Sequence, residues 1–137
     1  VWPAQNINFT NKTQFLFRIS KGTLNVNDND VNRYFPKESI RIPFDNIVYI
    51  GDSQTDIPCM KLVTSLGGQA IGVYDPKLKN KERVHSLIRD KRIKYFAPAD
   101  YSKNKELEKL LKQIIDYSKA SFALKQEYYK NLEESEL

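Results

Sequence analysis

The sequence is poor in the residues that assemble most metal, disulfide and nucleotide sites. It has one histidine, His85, and one cysteine, Cys59. A single histidine builds neither a histidine-based metal centre nor a convincing catalytic triad. A single cysteine forms no intrachain disulfide, which suits a reducing compartment and leads us to expect a cytoplasmic protein. Cys59 has no histidine near it in sequence and reads as a core thiol. Gly67, Gly68 and Gly72 are not followed by the Gly-Lys-Ser/Thr of a phosphate-cradling loop. No apolar run approaches the roughly 18 residues that span a bilayer. No signal peptide is recognisable, so no membrane partner is expected. The sequence opens on Val1-Trp2-Pro3 without an initiator methionine, which leads us to expect a fragment or a processed chain.

What is present suits a folded domain. Of 137 residues, 40% are hydrophobic and 28% charged. That is enough apolar material for a core and an average charge content. The net charge is +5, from 22 basic and 17 acidic residues. The densest basic group is Lys77, Lys79, Lys81 and Arg83, followed by Arg89, Lys91, Arg92 and Lys94. Such a group attracts phosphate or nucleic acid. Without an aromatic-basic motif, it reads more simply as a solvated helix face. A nucleic-acid partner is therefore the weaker alternative.

The hydrophobic pattern predicts alternating elements. A helix is expected over Lys12 to Lys21, capped by Asn11 with Gln14 three residues on and ended by Gly22. Residues 23 to 43 are polar and read as a loop, with one short helix near Val31 to Phe35. Asn46 to Ile50 follows, with a continuous apolar run at Ile47 to Ile50. Such a run marks a strand covered on both faces, as in a parallel sheet. A helix is expected from Thr55 to Leu66 with Pro58 in its first turn. Then come a strand over Gln69 to Tyr74, a helix over Lys77 to Ile88 and a strand over Arg92 to Phe96. A last amphipathic helix runs from Lys103 toward Leu132, ahead of an acidic tail expected to fray. This order predicts an α/β fold with a mostly parallel sheet. We expect a core domain over residues 1–102, with the helix of 103–137 packing on it.

Ligands of such sheets bind outside the carboxyl ends of the strands. Asp52 stands there, one residue past the most apolar strand. Gly51 permits a sharp exit and a close backbone approach. Asp56 follows at the mouth of the next helix. Two carboxylates at this point form a hard-oxygen site suited to magnesium. Asp56 is also an ordinary helix N-cap, and Asp52 an ordinary turn residue.

The stretch Ile47-Val48-Tyr49-Ile50-Gly51-Asp52-Ser53-Gln54-Thr55-Asp56-Ile57-Pro58 resembles the fourth motif of the haloacid-dehalogenase superfamily. Its Thr-Asp-x-Pro continuation is similar to the phosphatase-like branches. The resemblance implies a three-layer, Rossmann-like core and a magnesium-dependent phosphohydrolase. It implies that Asp52 is a direct metal ligand and Asp56 a second ligand or an outer partner. Ser53 and Thr55 would support the loop. Lys12, in Asn11-Lys12-Thr13-Gln14, best matches the catalytic lysine of the third motif, with residues 23–43 as an insertion between the two.

The superfamily's first motif is an apolar strand ending in Asp-x-Asp. It supplies the nucleophile, and it is missing here. Asp28-Asn29-Asp30 has the spelling but sits in a polar loop, with no apolar strand before it. The second motif is also unidentified. The resemblance therefore covers residues 10 to 100 and implies an incomplete core. We expect this chain alone to be inactive. We also expect strand 46–50 to be covered by an upstream segment or by another chain. The substrate would be a phosphorylated small molecule. The alternative is a non-catalytic interaction domain in which the acid pair is structural.

Overall fold

In the computed structural model the described residues are 12–23, 42–77 and 81–137. The expected cap at Asn11, the extended stretch 6–9 and the short helix near 31–35 lie outside them. The chain divides into two compact units, Val1–Pro98 and Ala99–Leu137.

The first unit is α/β. Its elements are α1 (Lys12–Lys21), β1 (Val48–Gly51), α2 (Ile57–Ser65), β2 (Gln69–Tyr74), α3 (Glu82–Arg89) and β3 (Tyr95–Pro98). The three strands form one sheet in the order β1-β2-β3. Both pairings are parallel, with Tyr49 beside Ala70, Gly51 beside Gly72, and Gly72 beside Phe96. Parallel neighbours require a crossover, and α2 and α3 provide the two crossovers.

Side chains alternate along a strand, so Tyr49, Gly51, Ala70, Gly72, Tyr74 and Phe96 share a face. Helices α2 and α3 both pack there. A side chain built on Gly72 would meet Val84 of α3 and Ile93. The core on this face contains Met60, Ala70, Tyr74, Val84, Leu87 and Ile93, with Tyr49, Ile57 and Phe96 packed against it. On the opposite face Ile71, Val73 and Ala97 are buried. Burial on both faces is why strand β2 has no polar alternation.

Helix α1 packs outside α2. Leu16, Cys59 and Val63 are buried together, with Phe44, Ile47, Tyr49 and Leu62 against them. Phe17 and Phe44 meet edge to face, centroids 5.3 Å apart. Gly22 ends α1 at φ 76°, a left-handed conformation that favours glycine. The Ile42 N–H donates to the Ser20 carbonyl at 2.9 Å. In return the Ser20 hydroxyl donates to the Ile42 carbonyl at 2.6 Å.

Several boundaries differ from expectation. Strand β1 starts at Val48, because Phe44–Asn46 forms a 3-10 turn behind Pro43. Residues 54–56 are also 3-10, and α2 proper begins at Ile57 with Pro58 in its first turn. Strand β3 runs three residues later at its start, 95 instead of 92. Lys91 takes φ 59°, and Arg92 N–H caps α3 at the Leu87 carbonyl, 3.0 Å away. Those residues are thereby spent on ending a helix.

The second unit holds α4 (Glu106–Ser135). Asn104, at φ 66°, precedes it and donates its N–H to the Glu108 carboxylate. Glu108 and Lys112, one helical turn apart, pair at 3.1 Å. The helix extends into the acidic end as far as Ser135. Among the described residues no helix is long and apolar enough to cross a membrane.

Candidate functional site

The site is built at the carboxyl end of β1. Gly51 is buried there. A Cβ on it would lie 2.6 Å from Met60 Cε and 2.7 Å from Asp56 Cβ. The glycine is therefore what lets the following turn fold back onto the strand end. Ser53 is extended, and the 3-10 turn Gln54–Asp56 returns the Asp56 side chain to the loop that precedes it.

Asp56 is the organising residue. It is 6% exposed. Its Oδ2 accepts from the backbone N–H of Asp52 at 3.0 Å and of Ser53 at 3.2 Å. The Ser53 hydroxyl reaches the same oxygen at 3.2 Å. Its Oδ1 accepts from Lys12 Nζ at 2.8 Å and from the Tyr49 hydroxyl at 2.7 Å. Burial alone would raise this carboxyl's pKa. The hydrogen bonds from Lys12, Tyr49 and the loop amides outweigh burial and bring it down to about 2. Asp56 is thus a carboxylate at any physiological pH.

The hydroxyls complete a directional chain. Lys12 Nζ also donates to Thr55 Oγ1 at 3.0 Å. Thr55 Oγ1 and Ser53 Oγ are 2.8 Å apart. A hydroxyl has one proton to give. With Ser53 donating to Asp56, Thr55 must donate to Ser53, and Lys12 supplies Thr55. Each hydroxyl proton then has an acceptor, and the chain closes on the carboxylate.

Lys12 comes from the first residue of α1 and meets the loop from the other side of 44 positions of sequence. A cation at a helix N-terminus opposes the macrodipole. Here the Asp56 carboxylate offsets that cost. Lys12 retains 22% side-chain exposure, so its ammonium is also reachable from outside.

Asp52 differs from Asp56. Its backbone joins the network, but its side chain is exposed. Among the described residues its carboxylate has no hydrogen-bond or ion-pair partner. The sequence-derived site residues Lys12, Ser53, Thr55 and Asp56 therefore come together through side chains, and Asp52 joins through its amide. No group of three or more His, Cys, Asp or Glu suited to a metal occurs among the described residues.

The fit to magnesium divides the two acids. A carboxylate offers about four lone-pair positions, and Asp56 accepts from five donors. It has none to spare for a metal. Asp52 presents an exposed, hard-oxygen carboxylate at the strand end, unpartnered among the described residues, as suits a magnesium ligand.

Tyr49 was not legible as a site residue. In sequence it is one more member of an apolar strand. The available signal was period: Tyr49 and Gly51 share the face on which Asp56 folds back. Its phenol is pushed far above its usual pKa by burial, then by the hydrogen bond to Asp56. It is a permanent donor. Cys59 is fully buried, and burial pushes its thiol up. His85 lies against the Phe96 ring, centroids 5.2 Å apart. In the basic segment, Arg89 pairs with Glu82 at 2.8 Å.

No protein-family model matches the chain, and no solved structure does. An uncharacterized protein of Borreliella burgdorferi is similar, 29% identical over 101 residues. The match covers 74% of this chain and 34% of that protein. The chain thus spans about a third of that relative's length.

Proposed function

We propose that the chain supplies the metal-side half of a magnesium-dependent phosphohydrolase site of the haloacid-dehalogenase type. The observation that carries this reading is the meeting of Lys12 with the acidic loop at the end of an apolar parallel strand. Lys12 Nζ lies 2.8 Å from Asp56 and 3.0 Å from Thr55, beside the exposed Asp52. A cationic side chain and an exposed carboxylate at one strand end suit a phosphoryl group and its counter-ion.

In this reading Asp52 would hold the metal. Magnesium, when bound, neutralises charge on the phosphoryl oxygens. Asp56 serves the site indirectly, by fixing the loop amides and the lysine. The Lys12 ammonium faces the developing negative charge and stabilises it. Ser53 and Thr55 hold the loop closed. The attacking aspartate would belong to another part of the complete protein: its carboxylate would displace the substrate's alcohol from phosphorus, giving an aspartyl-phosphate, and water would then release phosphate and restore the carboxylate. Strand β1 is the edge of the described sheet, and exposed edges are usually covered. The segment bearing the nucleophile would pair there. The substrate is a phosphorylated small molecule, and the compartment the cytoplasm.

A structural role for the acid pair is the second reading. The saturation of Asp56 by five donors favours it, because a purely architectural loop needs the same bonds. Asp52→Asn in the complete protein separates the two. Loss of magnesium-dependent aryl-phosphate turnover with unchanged melting supports the enzyme. Full activity in that variant, or no turnover by the wild type, supports the structural role. The 137-residue chain alone should show no turnover.

A further inference from the structure

We infer that Tyr49 is a positioning residue for Lys12: its core-anchored hydroxyl fixes the Asp56 oxygen on which the lysine ammonium rests. The inference rests on the phosphohydrolase reading of this loop.

The argument starts from Lys12 itself. Its ammonium ends a flexible four-carbon stem, so its acceptors must set its place. Among the described residues there are two, Asp56 Oδ1 at 2.8 Å and Thr55 Oγ1 at 3.0 Å. Thr55 is exposed, and among the described residues its hydroxyl has, besides Lys12, only the contact to Ser53. It is the weaker anchor. Asp56 Oδ1 carries the greater share, and Tyr49 fixes it.

The two Asp56 oxygens have separate duties. Oδ2 collects the loop donors from Asp52 and Ser53. Among the described residues, Oδ1 has only Lys12 and Tyr49. Without the phenol, the loop donors still hold Oδ2, but nothing on the core side opposes the lysine at Oδ1. The carboxylate can then turn about its held oxygen, and the lysine's acceptor moves with it.

Tyr49 is equipped to prevent this. Its ring packs against both hydrophobic clusters. Its backbone is registered to Ala70 in the centre of the sheet. The hydroxyl, 2.7 Å from Oδ1, therefore transmits the position of the core to the ammonium. Small misplacements of a catalytic charge carry large kinetic costs.

A double-mutant cycle in the complete protein tests this. Tyr49→Phe keeps the ring and removes the donor. It should lower kcat about 10-fold and leave KM within about 2-fold, the signature of a contact that matters in the transition state. In a Lys12→Met background, Tyr49→Phe should cost nothing further, because it acts only through the lysine. An unchanged kcat in Y49F, or the same loss in both backgrounds, overturns the inference. Asp52→Asn in the same assay reports on the phosphohydrolase reading separately. If that reading fails, the same cycle followed by urea denaturation of the complete protein decides the geometric claim. Non-additive stabilities uphold it and additive ones overturn it.

Discussion

Lys12 Nζ and Asp56 Oδ1 sit 2.8 Å apart, joining the start of α1 to the turn after β1. The pair is half-sheltered: Asp56 is buried, while Lys12 keeps a path to solvent. The contact therefore stabilises the fold and still leaves a usable positive charge at the strand end.

The Asp56 carboxyl links stability to pH. Its pKa falls from 3.8 to about 2 on folding. A depressed carboxyl contributes stability above its unfolded pKa and loses it as pH falls through the folded one. The contribution should be about 2 kcal/mol at neutral pH. Urea unfolding of wild type and Asp56→Asn from pH 7 to pH 2 should show a gap that holds above about pH 5 and narrows toward pH 2. A gap independent of pH would contradict the assignment.

Lys12→Met should remove the ion pair but spare the other four donors to Asp56. We expect about 1–2 kcal/mol of destabilisation, kept low by the partial exposure of the lysine. The Asp56 pKa should rise in this variant. Denaturation together with a carbon-detected titration of the carboxyl measures both effects.

Glycine replacements should rank by what their Cβ meets. At Gly68 it would lie 2.5 Å from the Phe44 carbonyl and 2.5 Å from Val63. A backbone atom cannot swing aside, so Gly68→Ala should cost ~3 kcal/mol, near the upper end for overpacking. At Gly51 the obstacles are the Met60 and Asp56 side chains. Gly51→Ala should cost less in stability and more at the site, because it pushes Asp56 off the strand end. Thermal melts and the Asp56 titration in both variants test the ranking.

Met60 is fully buried between the sheet and α2. Met60→Ala should cost about 2–5 kcal/mol through the cavity it leaves. Because Met60 also abuts Gly51, its truncation should partly relieve Gly51→Ala, and the double variant should be less destabilised than the sum. Additive losses would show that the strand end does not relax into the space.

Much of this was legible in the sequence, and for identifiable reasons. Helix α1 and strand β2 have their expected bounds, because Gly22 and the Gly67-Gly68 pair punctuate them. The loop acids and Lys12 were found by spacing and by resemblance. The shifted start of β3 was not legible. Ile93 is apolar and buried, yet it sits in the turn that closes α3, and hydrophobicity alone does not distinguish a buried turn from a strand. The division of labour between Asp52 and Asp56 was also out of reach. Both are acids near a strand end, and only the count of donors on each separates them.

The reciprocal bonds between Ser20 and Ile42 bear on how such a chain tolerates change. They bring two positions 22 apart in sequence into direct contact on the far side of the lysine helix. Closing a longer loop costs little more than closing a short one, roughly 0.6 kcal/mol per doubling. The carboxyl end of α1 is therefore fastened by a contact whose worth hardly depends on how far apart its two partners lie in sequence. Lys12, at the other end of the same helix, is steadied at both ends of its element: by Asp56 at the start and by the Ser20–Ile42 clasp near the finish.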